Sequence, residues 1–368
     1  MNRKRILLVH LGATVGGVPT YLGNLALLLH DDADVTCFCS FEDLVHRLRQ
    51  TSTKVIAVPA WLARRRLLRT VVAPLALGYI VLRHRIRIVA LSGSMEGILA
   101  LPARLLGCRV YYTVHLTLQA ESGRLKHTLA NSVICSTLRF AHRVICVSEA
   151  VAADVVKHIP SKRVTVIQNW VNLPLNGVTQ LPAKRENFGS ADDKPLRLLF
   201  IGRLLPHKGT SLILDAMRRL NTGNCVRTVS LTVVGEGESR SELERQAKGL
   251  AVRFVGFQAN PTNFYQNADL FINPTLGPEG LPLVSLEAMS HGLPCILSDL
   301  PVHKEITDGG KYAPLFRSGD ADDLCSQIRL FLLAPGLLDL YGRLAKDLVK
   351  ARYSADIARK RYAEEFGL

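Results

Sequence analysis

The chain has 368 residues, 48% hydrophobic and 21% charged, an ordinary globular composition with enough apolar material for two cores. Its net charge of +15 is uneven: 22 Lys and Arg face 9 Asp and Glu up to residue 180, and 24 face 22 beyond it. A basic front half asks for an anionic partner, nucleic acid or anionic membrane, and no helix-turn-helix, zinc or RNA-recognition signature supports nucleic acid. Eight cysteines without a C-x-x-C pair speak against zinc or disulfide scaffolds and fit buried reduced thiols in a reducing compartment. Met1–Arg5 leads straight into Ile6–Val9, an apolar run too short for a signal-peptide core.

From the amino end, Arg5–Leu11 reads as a strand running into Gly12-Ala-Thr-Val-Gly16-Gly17-Val-Pro19, and Thr20–Leu29 as the helix behind it. A strand, a glycine-rich turn and a helix bring backbone N–H groups close to a phosphate. The spacing is neither G-x-G-x-x-G nor a P-loop, and a tight turn in any α/β unit reads the same way. Asp34–Ser40 and Lys54–Val58 follow as strands. Trp61-Leu-Ala-Arg64-Arg65-Arg66-Leu-Leu-Arg69 then leads into the apolar Val71–Leu82 and closes on Arg83, Arg85 and Arg87. That centre is too short to span a bilayer. The segment is either one that lies on anionic lipid or a core helix with solvated arginines at its ends. Further strands are predicted at Arg87–Ser92, at Cys108–His115, at Arg143–Ser148, whose Ser148 is placed to cap a helix, and at Arg163–Gln168.

From about Leu173, Pro, Gly, Asn and charge without periodicity mark a linker, bounded at 176–194. A second series begins with the strand Leu196–Gly202, the loop Arg203–Gly209 and the helix Ser211–Leu220. Strands follow at Val229–Gly235, Val252–Phe257, Leu270–Pro274 and Pro294–Asp299, and a helix from about Ser354 to Phe366. Strands alternating with helices in both halves predict an α/β protein of two doubly wound, Rossmann-like domains. Residues 1–175 form the first, 195–352 the second, and a C-terminal helix at 353–368 is free to pack back on the first.

The chemistry concentrates in Glu279-Gly-Leu-Pro-Leu-Val-Ser-Leu-Glu287. Gly280 and Pro282 break the chain after the first glutamate, and a helix opens at Leu283. With a rise of about 1.5 Å per residue, a glutamate before the helix and one inside it can lie along one elongated ligand. Backbone N–H groups from Gly280 to Leu283 suit a phosphate between them. A Glu pair alone is most simply two solvated side chains. Here it stands at the carboxyl end of a predicted parallel strand, where open α/β sheets bind ligands. Arg203 and Lys208 follow another strand end, between Gly202 and Gly209, and together suit a diphosphate. His115 ends its strand on the same ligand-facing side, as a structural or a ligand-facing histidine.

Gly202-Arg-Leu-Leu-Pro-His-Lys-Gly209, Val234-Gly-Glu-Gly237, Val255-Gly-Phe257, Ala268-Asp-Leu-Phe-Ile-Asn-Pro274 and the E-x7-E pair occur in that order. Residues 196–310 closely resemble the C-terminal half of the family 4 retaining glycosyltransferases of the GT-B fold. Gly16-Gly17, His115 and Ser148-Glu149 resemble the front half loosely. The resemblance implies two Rossmann-like domains facing across a cleft. Gly202, Arg203 and Lys208 would hold the donor diphosphate, with the backbone of Gly280, Leu281, Pro282 and Leu283 beside it. Glu287 would bind the ribose, Glu279 the donor sugar near its reacting carbon, and Glu305 the nucleotide's edge. His115 would face the sugar, and Gly16 and Gly17 would close over the phosphates. Glu279, His115, Arg203 and Lys208 are the implied catalytic set. Asn169-Trp-Val-Asn172 stands where the family often has Asn-Gly-Val-Asp, Pro19 follows the glycines, and Pro301–Glu305 lacks the family's glycine.

The resemblance further implies transfer with retention, without metal or cofactor, in which the departing phosphate helps to deprotonate the acceptor; no D-x-D pair argues otherwise. The expected reaction moves a hexose from a UDP- or GDP-type nucleotide sugar to a lipid-linked or polysaccharide acceptor, as in lipopolysaccharide or other cell-surface glycan synthesis. The expected place is cytoplasmic and peripheral on the inner face of an anionic membrane, with no nucleic-acid partner. Another GT-B enzyme, such as a sugar-nucleotide epimerase or a phosphorylase, and a non-catalytic basic binder of lipid or nucleic acid are the alternatives. Arg203, Lys208, Glu279 and Glu287 favour transfer.

Overall fold

The structure, a computed structural model, describes residues 3–12, 16–49, 51, 53–59, 65–93, 96–117, 135–173, 195–222 and 228–368. The linker at 176–194, Trp61, Arg64 and Cys225 lie outside the described residues. The chain divides into two compact units. The first holds residues 1–169, 278–281 and 355–368, the second residues 170–277 and 282–354.

The first unit runs β1 (Lys4–His10), α1 (Gly17–Leu29), β2 (Ala33–Cys39), α2 (Glu42–Arg49), β3 (Lys54–Ala57), α3 (Arg66–His84), β4 (Ile88–Ser92), α4 (Ala100–Leu105), β5 (Arg109–Val114), β6 (Arg143–Cys146), α5 (Glu149–Val155) and β7 (Val164–Val166). Among the described residues its strands form one parallel sheet in the order β3-β2-β1-β4-β5-β6-β7. Ile6–Val9, Val89–Leu91 and Val110–Tyr112 are buried without alternation, as parallel strands covered on both faces require. The order reverses between β1 and β4, which opens a crevice at their carboxyl ends. Ser148 caps α5, its hydroxyl accepting from the Val151 N–H at 3.1 Å.

In α3, Ala73, Leu77, Ile80 and Val81 enter the core while Val71, Leu75, Tyr79 and Leu82 on the opposite side stay exposed. The core-helix reading therefore holds for the inward side. The helix ends on Arg85, held in the left-handed region at φ 51°, whose N–H bonds back to the Leu82 and Val81 carbonyls. Among the described residues no single helix is long and apolar enough to cross a membrane.

The second unit runs β8 (Leu196–Ile201), α6 (Thr210–Thr222), β9 (Val229–Val234), α7 (Arg240–Gln246), β10 (Val252–Gly256), α8 (Thr262–Asn267), β11 (Leu270–Asn273), α9 (Leu283–Ser290), β12 (Cys295–Ser298), α10 (Pro301–Thr307), β13 (Leu315–Phe316), α11 (Ala321–Leu333) and α12 (Gly336–Arg352). Its parallel sheet has the order β10-β9-β8-β11-β12-β13, so the reversal falls between β8 and β11. Leu198, Phe200, Leu214, Met217, Leu231, Leu324 and Phe331 build its core. Asp269, almost wholly buried, grips Arg197 through two bonds of 2.9 and 2.7 Å and fastens the amino ends of β8 and β11. A forked, charge-assisted pair of this kind fixes the register of the two strands that flank the crevice.

The closing helix α13 (Ala355–Phe366) belongs to the first unit. Tyr362 is buried and hydrogen-bonds the Tyr21 hydroxyl at 2.5 Å, and Arg359 and Glu365 pair with Asp32 and Arg143. Trp170, in the second unit, is buried and has no positive φ; among the described residues only Arg85 and Asp308 are non-glycine residues of that kind. The Asn169–Asn172 segment thus runs without the left-handed turn that a glycine would provide.

Candidate functional site

The residues singled out from sequence fall into one group in each unit, and both groups cluster at the sheet reversals. In the first unit, α1 starts at Gly17 after the extended Gly16. Among the described residues, a Cβ built on either glycine meets nothing within 4 Å. Two residues that the sequence reading missed sit beneath it. His10 ends β1 and is buried, with Nδ1 at 2.8 Å from the Ser92 carbonyl and 3.4 Å from Glu96. Glu96 is buried as well and accepts the Leu11 N–H at 2.6 Å. The signal for Glu96 lay in plain view: it is the only acid between Asp43 and Glu121.

His115 follows β5. The residue is half-buried, but its Nε2 is sealed from solvent without a hydrogen-bond partner among the described residues. The ring packs edge-on against Tyr21 at 4.6 Å. Burial, with a smaller contribution from His10, pushes its pKa down to about 3, so the ring is neutral at ordinary pH. A neutral ring offers a hydroxyl ligand one donor and one acceptor, and an orphaned buried nitrogen gains by meeting one. Pro278–Leu281 belongs to this unit and carries Glu279 with it. Gly280 packs so tightly on the His115 carbonyl that a Cβ would overlap it, and Asn169 Nδ2 donates to the Leu281 carbonyl at 2.6 Å. Glu279 is half-buried.

In the second unit, Gly202 and Arg203 leave β8, and Pro206–Lys208 forms a single 3₁₀ turn closed by Gly209 at φ 68°. Only glycine fits there, because the conformation is left-handed and a Cβ would overlap the Pro274 carbonyl. Leu276 N–H donates to the His207 carbonyl at 2.7 Å. The loop after β8, carrying Arg203 and Lys208, is therefore tied to the loop after β11 at the sheet reversal. Arg203 is exposed, and its guanidinium has no partner among the described residues.

Pro282 caps α9, in which Leu283 is buried and Glu287 is half-buried. Tyr265, on α8, donates its hydroxyl to Glu287 Oε2 at 2.8 Å and stacks on His291 at 5.3 Å. Burial first, and then the Glu287 charge, hold the Tyr265 pKa well above the usual phenol value, so it remains a donor. Beneath α9, Asn273 donates through Nδ2 to Ser285 Oγ at 3.0 Å and accepts the Thr275 hydroxyl on Oδ1 at 2.7 Å. The buried His303 ring joins the same network through the Ser298 carbonyl at 2.8 Å. These buried bonds fix where α9 begins. Glu305 is half-buried on α10, two residues beyond His303. The second unit thus gathers Gly202, Arg203, Lys208, Pro282, Leu283 and Glu287 at one sheet end. Gly16, Gly17, His115, Glu279, Gly280 and Leu281 belong to the first.

Residues 15–174 match the family described as Glycosyltransferase Family 4, and residues 195–333 match Glycosyl transferases group 1. The phosphatidyl-myo-inositol mannosyltransferase of Mycobacterium leprae is 32% identical over 163 residues, covering 43% of this chain and 40% of that enzyme. The match thus spans well under half of that relative's length. The UDP-Gal:alpha-D-GlcNAc-diphosphoundecaprenol alpha-1,3-galactosyltransferase of Escherichia coli is 25% identical over 296 residues, 76% of this chain and 75% of that one. Anabaena HepE, solved with UDP-glucose, superposes with a TM-score of 0.82 at 19% identity over 99% of both chains, a likeness of fold. Both parallel-sheet units fit the GT-B fold of such enzymes.

Proposed function

Since this chain belongs to the family 4 glycosyltransferases of the GT-B fold, we propose that it moves a hexose from a nucleotide-diphosphate sugar to a lipid-linked glycan acceptor, with retention at the anomeric carbon. The observation that carries this reading is the loop pair at the β8–β11 reversal. It offers an exposed Arg203 without a partner among the described residues, the Lys208 turn, and Glu287 held by Tyr265 within one sheet end. Arg203 and Lys208 neutralise the diphosphate as it leaves, and the start of α9 adds backbone N–H groups. Glu287 receives the ribose hydroxyls and Glu305 lies toward the nucleotide's edge. Gly202 and the backbone of Pro282 and Leu283 lie beside the phosphates.

In the first unit, Glu279 and the buried His115 Nε2 offer hydrogen bonds to sugar hydroxyls. His115 acts as a neutral hydrogen-bonding group, since its depressed pKa leaves it little basicity. The departing phosphate accepts the acceptor's proton on the same face, and two cations do the work that a metal does elsewhere. The E. coli relative's lipid diphosphate and the mycobacterial relative's phosphoinositide support a membrane-borne acceptor, and UDP is the first nucleotide to try. The place of action is then the cytoplasmic side of a membrane.

The experiment supplies UDP-glucose, UDP-galactose and GDP-mannose with a polyprenyl-diphosphate sugar and reads the new linkage by NMR. A product with the donor's anomeric configuration is expected, and Arg203→Ala lowers its rate about 10²-fold or more. An inverted product, or donor epimerised without acceptor, would contradict the reading.

A further inference from the structure

We propose that the outward face of α3 is a docking surface for an anionic lipid bilayer. Leu68, Val71, Leu75, Tyr79 and Leu82 are 39, 66, 73, 68 and 69% exposed. Their spacing of three and four residues puts them in one stripe along a helix about 28 Å long. The opposite side of the helix is already spent in the core through Ala73, Leu77, Ile80 and Val81. The stripe is thus a second apolar face, uncovered among the described residues. Beside it lies α4, where Leu105 is 78% exposed and Leu106 approaches Gly78. Contiguous exposed apolar surface of this kind marks an interaction site rather than ordinary surface scatter.

Charge selects the occupant. Residues 44–95 contain ten Lys and Arg and no Asp or Glu. Arg65, Arg83, Arg85 and Arg87 are exposed at the two ends of the helix, and Arg104 is exposed on α4. An apolar stripe with exposed arginines at both ends suits acyl chains beneath anionic headgroups. A second copy would bring two such basic rims together, and nucleic acid has no use for five exposed aliphatic and aromatic side chains. The purpose of the surface rests on the reading of a membrane-borne acceptor, but its test does not.

That test sediments the full chain with vesicles of phosphatidylcholine alone and of phosphatidylcholine with one-third phosphatidylglycerol. Wild type partitions at least about tenfold better onto the anionic vesicles, and added salt erodes the difference. Leu75→Ser with Tyr79→Ser abolishes sedimentation, and Arg65→Gln with Arg83→Gln weakens it about fivefold per arginine. All these positions are solvent-facing, and the thermal shift with UDP reports separately on the donor site. Equal partition onto both vesicles, or variants that sediment like wild type, overturns the proposal. So does a lipid-free dimer that L75S/Y79S converts to monomer, since the stripe is then covered by a second copy. Loss of the UDP shift with vesicle binding intact overturns the glycosyl-transfer reading and leaves the docking surface standing.

Discussion

Glu287 takes its orientation from Tyr265, whose hydroxyl donates to Oε2 at 2.8 Å while its ring stacks on His291. Tyr265→Phe leaves the ring in place and removes this bond to the carboxylate. The expected outcome is a KM for the nucleotide sugar raised about tenfold with kcat nearly unchanged, since a hydrogen bond to a charged group is worth about 1.5–3 kcal/mol. An unchanged KM would sink this role. His115 makes a prediction about pH. Its folded pKa of about 3 lies below the ordinary 6.5, so below 6.5 the unfolded chain binds a proton that the folded chain refuses. Its contribution to stability is present above about 6.5 and drains as the pH falls toward 3. Urea unfolding of wild type and His115→Gln, compared from pH 7 to 4.5, should show the wild type losing stability faster. Parallel curves would contradict the buried, neutral imidazole. At this scale the sequence was only half legible. Glu279, Glu287, Arg203 and Lys208 stand in an ordered local motif. Tyr265, His10 and Asn273 are lone polar residues whose partners arrive by folding.

The loop from Pro274 to Pro282 is the element on which the donor chemistry hangs, and glycine sets its path. Gly280→Ala drives a methyl into the His115 carbonyl and should cost about 1–3 kcal/mol in unfolding, with transfer lost in proportion. Gly16→Ala is the contrast, because its methyl enters open space. Stability should then hold while turnover drops, if the glycine turn closes on phosphate; normal turnover would deny Gly16 that role. Strands were legible because runs such as Ile6–Val9 and Leu270–Ile272 are buried on both faces and read as unbroken apolar stretches. The helices α11 and α12 lie where strand-and-motif reading is blind. The signal was nonetheless present, as Asp320 caps the Asp322 and Asp323 N–H groups ahead of the buried Leu324, Ile328 and Phe331. In α3 the difficulty was ambiguity, since a helix with apolar residues on two faces satisfies the core and the lipid reading at once.

At the scale of the molecule, the chain leaves the first unit at 169, revisits it at 278–281 and rejoins it at 355. The first and last of these crossings are paired in the second unit, where Val171 N–H donates to the Tyr353 carbonyl at 3.0 Å beside the Val171–Ser354 bridge. The return delivers Tyr362, Phe366 and the Arg143–Glu365 pair to the first unit. Tyr362→Ala should therefore destabilise the protein by about 3–5 kcal/mol, and deletion of 355–368 by more. A deletion that melts like wild type would mean that α13 contributes nothing to the first unit. The two-unit α/β architecture was readable from alternation alone, whereas the docking of the last helix depends on contacts more than 300 residues apart in sequence, such as Tyr21 with Tyr362.

The donor site is tested most directly by the thermal stabilisation of wild type, Glu287→Ala and Arg203→Ala by UDP, GDP, dTDP and ADP. One nucleotide at 100 times its dissociation constant should add about 2.7 kcal/mol to wild type, and both variants should lose most of that gain. If no nucleotide stabilises the wild type, or if the variants respond as wild type does, the β8–β11 loop pair is not a nucleotide-diphosphate site and the proposed transfer reaction falls with it.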